Sequence, residues 1–190
     1  MTASTDHSND RDVIDVLTTD HREFLELVDQ ILAAADQEQR RDLTDSLIGE
    51  LVRHSVAEEM YVYPAMRDHL PNGDEAVEHD TKEHKELEAT MKKLEAADTS
   101  APEFVEHVRE LERILRDHVQ DEEQEQFPQL RQHVPDEQLV ELKGKVETAK
   151  KVAPTRPHPA APNAELFHKM VGPGVGLVDR LRDKLTGRDA

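Results

Sequence analysis

The sequence contains no cysteine, and this absence limits the chemistry that the protein can carry. Disulfide bonds, thiolate metal ligands and a thiol nucleophile are all excluded. Any bound metal must therefore be held by nitrogen and oxygen donors. Iron–sulfur clusters, blue-copper centres and zinc fingers are excluded for the same reason.

Aromatic residues are also scarce, at 3% of the chain. The sequence is instead dominated by Leu, Glu, Ala, Lys, Arg and Gln, which is the composition of long amphipathic helices rather than strands. The 190 residues, of which 36% are apolar, suffice for one domain with a substantial core. We therefore predict an all-α protein with one compact domain.

Positive charge is in short supply, because the formal net charge is -18. Nucleic acid and anionic lipid surfaces would repel such a chain. No apolar run reaches the roughly 18 residues of a membrane-spanning helix, and the acidic N-terminus lacks the apolar region of a signal peptide. We expect a cytoplasmic protein with no nucleic-acid partner and no membrane partner.

Apolar residues at three-to-four spacing predict four long helices, over residues 11–35, 40–69, 74–96 and from 100 onward. Ser100 is the predicted N-cap of the fourth helix, with Glu103 at the capping-box position. Pro64 and Pro128 are expected to kink or end their helices. The short connections predict an up-down four-helix bundle over residues 11–151, which includes a short fifth helix from 135.

The two ends of the chain are predicted to lie outside this bundle. Residues 1–10 form a predicted disordered leader. Residues 152–190 hold five of the ten prolines and four of the seven glycines, which predicts a tail without a packed core. A short amphipathic helix within residues 176–187 is a candidate contact for a protein partner, with docking on the bundle and free movement as alternatives.

One motif occurs twice, at a constant offset along the chain. A histidine and a glutamate one helical turn apart are followed by a second glutamate, an aromatic–proline pair and a basic residue. The first copy is His54, Glu58, Glu59, Tyr63, Pro64, Met66, Arg67 and His69, and the second is His118, Glu122, Glu123, Phe127, Pro128, Leu130, Arg131 and His133. Because residues at i and i+4 share a helix face, the duplication can supply ligands for two metal ions from two helices.

Seven polar side chains interrupt the apolar stripes of the four predicted helices. They are His21, His54, Glu58, Asp80, His84, His118 and Glu122. The free-energy cost of burying three carboxylates without compensation would exceed the roughly 5 to 15 kcal/mol that stabilises a domain. Since no lysine or arginine interrupts these stripes, we predict that two cations balance the charge. Imidazole and carboxylate donors suit iron first, then manganese, with zinc as a misloaded alternative.

This arrangement resembles the hemerythrin-like HHE cation-binding domain family. The family pattern is an isolated histidine, an H-x3-E motif, a helix with a later histidine, and a second H-x3-E motif. His21, His54 with Glu58, His84, and His118 with Glu122 match it in order and spacing, over about residues 11 to 135. The resemblance implies an up-down four-helix bundle and two iron ions with an oxo or hydroxo bridge, Glu58 and a second-half carboxylate linking the ions.

The chain departs from the oxygen-carrying hemerythrins on the third helix. Those proteins have a His-x3-His pair there, and Asp80 replaces the first histidine. An anionic oxygen donor favours the ferric state, which argues against reversible oxygen carriage. His79 is an alternative ligand if the register shifts by one residue. Glu122 and Glu123 compete for the second bridge, and Glu122 is preferred because it follows His118 by four residues.

Three further residues are predicted to surround the centre. Tyr61, three residues after Glu58, is the predicted hydrogen-bond donor to a bound oxygen species, with ordinary core packing as its alternative. Leu115 and Leu111, one and two turns before His118, are the predicted dry wall of the oxidant pocket.

The leading functional hypothesis is a di-iron protein that binds or reduces small oxidants, namely dioxygen, hydrogen peroxide or nitric oxide, in oxidative or nitrosative stress. Turnover of peroxide would make it a catalase-like enzyme, whereas holding dioxygen would make it a binding protein. The alternative is an iron- or oxygen-sensing regulatory module without turnover. A metal-free helical adaptor is the third hypothesis.

Overall fold

The computed structural model describes residues 11–153 of the chain. Every regular element within these residues is helical, which confirms the predicted all-α class. The predicted leader and residues 154–190 of the predicted tail lie outside the described residues. The boundaries proposed for those two segments therefore stay predictions.

Four helical rods form the bundle. The first rod is α1, Val13–Ala33. The second contains α2, Gln37–Ala57, a π-helical turn, Glu58–Val62, and α3, Tyr63–His69. The third is α4, Gly73–Ala96, and the fourth contains α5, Pro102–Asp121, a second π-helical turn, Glu122–Gln126, and α6, Phe127–His133. A further helix, α7, spans Asp136–Val152.

The packing follows the predicted up-down order. Helix α1 packs against α2 and α5, and α4 packs against α2 and α5, so the four rods surround one interior. Helix α7 lies outside them against α1 and α2. The four-helix bundle with a fifth helix is thus confirmed. None of the helices in residues 11–153 has the length and apolar composition needed to cross a membrane.

Side-chain caps explain where the first two rods begin. The carboxylate of Asp12 accepts hydrogen bonds from the backbone N–H groups of Ile14 and Asp15, and that of Asp36 accepts one from Gln39. These bonds satisfy N–H groups that have no partner within the helix.

The prediction that Ser100 caps the fourth rod is wrong. The Ser100 backbone N–H and hydroxyl both donate to the Asp98 carboxylate, at 2.8 and 2.7 Å. The serine hydroxyl is therefore used within this local turn and does not cap the helix. Ala101 takes the N-cap position, where no side chain caps the helix.

A close backbone approach makes glycine necessary between the second and third rods. A Cβ atom at Gly73 would lie only 2.1 Å from the carbonyl oxygen of Met66. Only the hydrogen of a glycine leaves room for this contact. Gly73 therefore allows α4 to begin immediately after α3 and to turn back along the second rod.

The two prolines of the repeated motif neither end nor break their rods. Each follows a π-helical turn in which a backbone N–H bonds to the carbonyl five residues earlier, Tyr63 to Glu58 and Phe127 to Glu122. A proline ring clashes with the carbonyl four residues before it in a regular α-helix. The wider turn relieves that clash, so the rods continue beyond Pro64 and Pro128 to His69 and His133.

The apolar core is divided into two clusters with a polar layer between them. One cluster contains Leu17, Val62, Val77 and Phe127 among other residues. The other contains Phe24, Leu51, Leu87 and Leu115 among others. On each rod, the residues between the two clusters are histidines and carboxylates. The interruptions seen in the sequence therefore meet at one level of the bundle.

Candidate metal centre

All seven predicted ligands lie in this polar layer and are almost fully buried. Their exposed fractions range from 0% for Glu58, Asp80 and Glu122 to 6% for His84. Every rod contributes, since His21 lies on α1, His54 and Glu58 on the second rod, Asp80 and His84 on α4, and His118 and Glu122 on the fourth. The structure thus brings together all the side chains that the sequence selects.

Two pairs of imidazoles flank the two buried glutamates. His21 Nε2 lies 3.2 Å from Glu122 Oε2, and His54 Nε2 lies 3.2 Å from Glu58 Oε1. On the opposite side, His84 Nε2 lies 3.4 Å from Glu58 Oε2. His118 Nε2 lies 3.7 Å from Glu122 Oε1. Each glutamate therefore presents one oxygen to each pair, which is the arrangement of a carboxylate that bridges two ions.

Most of the donor atoms at the centre have no hydrogen-bond partner. They are the Nε2 atoms of His21, His54 and His118 and both carboxylate oxygens of Glu58 and Glu122. Nitrogen and oxygen atoms approach one another here without the geometry of a hydrogen bond. Buried polar atoms without partners are rare and costly in proteins. Lone pairs that converge in this way fit a pair of metal ions.

A carboxylate outside the centre holds the other ring nitrogen of each histidine. The Nδ1 pairs are His21 with Glu123 at 2.9 Å, and His54 with Asp20, His84 with Glu59 and His118 with Glu83, each at 3.0 Å. A proton shared with a carboxylate at Nδ1 leaves the Nε2 lone pair directed to the centre. Such partners orient metal-binding histidines and raise their basicity.

The sequence-based prediction does not assign these carboxylates to the outer ring nitrogens and names Glu123 only as a competing bridge, although their positions follow a simple signal. Asp20 and Glu83 directly precede the histidines of the first and third rods. Glu59 and Glu123 directly follow the buried glutamates Glu58 and Glu122 of the second and fourth rods. Neighbouring residues on a helix point about 100° apart, so one residue reaches the centre while the next reaches the outer nitrogen of another rod's histidine.

A lysine from the fifth helix supports one of the outer carboxylates. The Lys150 Nζ on α7 donates to both carboxylate oxygens of Asp20, at 2.6 Å each. The expectation that no basic side chain compensates the buried acids applies to the stripes of the four rods and misses this contact. The sequence distance between the two residues explains the omission, because no local pattern connects them.

Asp80 occupies a position beside His118 and Glu83. One of its oxygens accepts a hydrogen bond from the Gln126 side-chain amide at 2.8 Å, and the other has no partner. Burial, together with the nearby Glu122 carboxylate, raises the pKa of Asp80 from 3.8 to about 7. A cation would favour the ionised form. Asp80 is therefore a third carboxylate available to an ion held by His84 and His118.

The tyrosine beside the centre is Tyr63, so the prediction for Tyr61 is wrong. Tyr61 is only half-buried and packs against the first apolar cluster. The Tyr63 hydroxyl lies 3.1 Å from His84 Nε2, and its ring stacks on the imidazole. The π-helical turn between Glu58 and Tyr63 causes the difference, because one extra residue in the turn rotates position 63 toward the centre.

The remaining predicted residues lie around the centre in distinct environments. Glu122 is fully buried between the two histidine pairs, whereas Glu123 lies outside on His21 and is 33% exposed at its side chain. His79, the alternative ligand, is exposed and outside the centre. Leu111 and Leu115 are buried in the second apolar cluster, which borders the polar layer.

The comparison with known proteins agrees with this geometry. The family model of the hemerythrin HHE cation binding domain matches residues 12–130. The chain belongs to this hemerythrin HHE family. The match covers the four rods that supply the buried histidines and carboxylates, and family membership supports a capacity to bind metal cations.

Individual relatives are consistent with the family assignment. An uncharacterized hemerythrin-like protein of Schizosaccharomyces pombe is 31% identical over 174 residues, which cover 91% of this chain and 86% of that protein. A protein of a Nostoc species named DNA nickase is 29% identical over 141 residues. That alignment covers 74% of this chain but only 40% of the relative.

A solved structure shares the fold. It is a hemerythrin HHE cation binding domain-containing protein from Mycobacterium kansasii, with 23% identity and a TM-score of 0.64. The match covers 74% of this chain and 85% of that one. At this identity the likeness supports the bundle architecture of the HHE domain.

The two halves of this HHE domain are related by an approximate twofold repeat. The corresponding pairs are His21 and His84, His54 and His118, Glu58 and Glu122, Asp20 and Glu83, Glu59 and Glu123, and Tyr63 and Phe127. Phe127 stacks on His21 as Tyr63 stacks on His84. The halves differ in polarity, because the hydroxyl of Tyr63 and the carboxylate of Asp80 correspond to the apolar Phe127 and Leu17.

Without metal, the carboxylates of the HHE domain retain protons on the buried imidazoles of His21, His54 and His84. Burial by itself would lower the pKa of His21, but Glu122 and Glu123 outweigh it and raise that pKa from 6.5 to about 10. The pKa values of His54 and His84 are raised for the same kind of reason, burial again opposing the carboxylates around each ring. Metal ions must displace these protons, so binding releases protons and strengthens as the pH rises.

Proposed function

We propose that this HHE protein holds two iron ions, with manganese as the alternative, and binds or reduces dioxygen, hydrogen peroxide or nitric oxide in oxidative or nitrosative stress. The observation that carries the proposal is the pair of buried glutamates. Each directs one oxygen toward the pair formed by His21 and His54 and the other toward the pair formed by His84 and His118. Four imidazoles and oxygen donors, without sulfur, match the preferences of iron and manganese.

The charge of the site supports two multivalent cations. Glu58, Glu122 and Asp80 carry up to three negative charges at the centre, and four more carboxylates hold the outer ring nitrogens. In a low-dielectric interior this density of acids is strongly unfavourable unless cations are present. A cytoplasmic location stays a prediction.

Tyr63 supports reactivity with small oxidants. A pair of ferrous ions, when bound, supplies two electrons, which is the number needed to reduce hydrogen peroxide to water. The Tyr63 hydroxyl is buried against His84, and burial together with the charge of Glu58 raises its pKa well above 10. The phenol therefore keeps its proton and can donate a hydrogen bond to a polar molecule in the layer.

The experiment that tests this proposal combines reduction, oxidant exposure and one conservative variant. The anaerobically reduced, iron-loaded protein is mixed in turn with dioxygen, hydrogen peroxide and nitric oxide, and its absorption spectrum and oxidant consumption are followed. We expect a spectral change with at least one oxidant. Tyr63→Phe should retain two ions and react about tenfold more slowly, the effect of one hydrogen bond.

Phe127→Tyr is the matched control, since it adds a hydroxyl at the corresponding position beside His21. The rate of its reaction with the oxidant should stay within about twofold of the parent rate. An iron-loaded protein that shows no spectral change with any of the three oxidants would reject oxidant chemistry. Equal rates for the parent protein and Tyr63→Phe would remove the role assigned to the phenol.

A sensing role is the second candidate, and one contact favours it. Lys150 on α7 binds Asp20, which in turn holds the metal-facing His54. Helix α7 leads directly into the predicted C-terminal tail, the candidate contact for a protein partner. A change in the position of His54 on metal binding would therefore be transmitted to α7.

Hydrogen exchange tests this second candidate. We expect the backbone amides of α7, Asp136–Val152, to exchange at least about tenfold faster after iron is removed, because the Lys150 contact then loses its fixed partner. Lys150→Met, which keeps the length of the side chain without its charge, should remove most of that difference. Equal protection of α7 in the iron-loaded and iron-free proteins would exclude the sensing role.

A further inference from the structure

A group of metal-binding side chains lies on the surface next to the buried centre. The exposed His79 on α4 has its Nε2 3.0 Å from Asp121 Oδ2 and 3.4 Å from Glu83 Oε1. The three side chains place one donor atom each within 4.8 Å of the other two. A nitrogen and two carboxylates at this spacing form a small cation site, open to solvent because His79 is 53% exposed.

Glu83 connects this surface group to the interior. One of its oxygens faces His79, and the other lies 3.0 Å from His118 Nδ1. Glu83 and His118 also form a second group with Asp80, again with donor atoms within 4.8 Å of one another. Asp80 is fully buried, and one of its oxygens has no hydrogen-bond partner.

His118 extends the series to the metal centre. It belongs to a third group with Glu58 and His84, the residues of the second metal position. Neighbouring groups share one residue, Glu83 between the first two and His118 between the last two. Because neighbouring groups share a residue, an ion that moves along this series has protein donors within reach at each stage inside the low-dielectric core.

The other half of the bundle lacks this arrangement. The positions that correspond to His79 and Asp121 are Val16 and Ala57, which are buried and apolar. The counterpart of Glu83 is Asp20, whose oxygens are held by Lys150 from α7. Within residues 11–153, the repeat therefore provides donors from the surface to the centre on one side only, the side that α7 leaves uncovered.

We propose that His79, Glu83 and Asp121 form an entry site for a divalent transition-metal ion, and that Glu83 and Asp80 pass the ion to the position held by His84 and His118. This inference rests on the proposed metal centre and adds the route by which the centre is filled. The entry site binds more weakly than the centre, because water competes for an exposed ion and the protein supplies three ligands.

The test measures the rate of metal uptake separately from the final amount bound. Metal-free protein is mixed anaerobically with Co²⁺, and the visible absorption of the protein-bound ion is followed by stopped flow, with elemental analysis of the product. The double variant H79A/D121N should reach the same two ions per chain with an uptake rate at least about tenfold lower, since acidic sites raise local cation concentration and on-rates by such factors.

The matched control changes the same residue types elsewhere on the surface. His133 and Asp68 are exposed and lie outside every group of candidate metal ligands in residues 11–153. The double variant H133A/D68N has the same change in charge and should load at the parent rate. Slow loading in both double variants would indicate a general effect of charge and would overturn the assigned route.

A second measurement observes the entry site directly. Protein whose centre is already filled with two Co²⁺ ions is titrated with Mn²⁺, and paramagnetic broadening of the histidine ring signals is followed by NMR. His79 should broaden first in the parent protein. Unchanged loading by H79A/D121N, or broadening that does not single out His79, would refute the entry site while leaving the metal centre intact. Failure of the parent protein to bind Co²⁺ would instead refute the centre.

Discussion

Substituting Glu58 by alanine is expected to reduce the metal content from two ions per chain to at most one. Glu58 directs one oxygen toward His54 and the other toward His84. Its loss therefore affects both metal positions at once. Elemental analysis of the purified variant, after loading with excess Fe²⁺ and removal of free metal, measures this outcome.

The same variant should also be less stable. Alanine leaves a cavity in the buried layer and removes a shared ligand, so the thermal midpoint should fall by about 10 °C or more. Glu58→Gln keeps the side-chain volume and serves where the alanine variant fails to fold. It should show the same loss of metal, because a neutral amide is a much poorer bridging ligand than a carboxylate.

The neighbouring glutamate supplies the control. Glu59 follows Glu58 in the sequence but holds His84 Nδ1 from outside the centre. Glu59→Ala should retain two ions, with affinity about 10- to 100-fold weaker, the usual effect of removing a partner of a ligating histidine. A Glu58→Ala protein that still binds two ions would overturn the assignment of the bridge.

Removing the metal from the parent protein is expected to lower its thermal stability, and the loss should grow with pH. His21 has a pKa of about 10 in the folded metal-free state against 6.5 ordinarily. The stability from its proton is fully present below pH 6.5 and disappears as the pH rises through 10. Asp80 also makes the folded metal-free protein less stable as the pH rises, because its pKa is raised from 3.8 to about 7 in the folded state.

The stability that bound metal adds should change with pH in the opposite direction and increase as the pH rises. Ions compete with protons for the same nitrogens and oxygens, so binding strengthens as the pH rises. Thermal unfolding at pH 6 and pH 9, with and without a chelator, measures the difference. We expect a gap of about 10 °C or more at pH 9 and a smaller one at pH 6. A gap that is absent, or that narrows as the pH rises, would contradict a role for cations in balancing the buried acids.

Local periodicity was sufficient to predict the bundle and the inward-facing residues of its interior. Apolar residues at three-to-four spacing mark the rods, and His54 with Glu58 or His118 with Glu122 share a face because they are four residues apart. All seven predicted ligands meet in the polar layer. Their role as ligands stays a prediction, as does the number and identity of the ions.

The errors and omissions have two physical causes. The π-helical turns add a residue between Glu58 and Tyr63, so a count based on the regular α-helix selected Tyr61 in place of Tyr63. Contacts between distant segments, such as that of Lys150 with Asp20, leave no periodic signal. The Asp98 turn that occupies Ser100 likewise depends on a particular hydrogen-bond geometry rather than on residue type alone.

The most direct test of the account is the metal content of the purified protein combined with X-ray absorption spectroscopy at the iron edge. We expect two iron ions per chain, each with nitrogen and oxygen donors only, with imidazole scattering and a neighbouring iron atom. Protein that remains colourless and metal-free after anaerobic incubation with Fe²⁺ and Mn²⁺, yet unfolds at the same temperature as before, would contradict it.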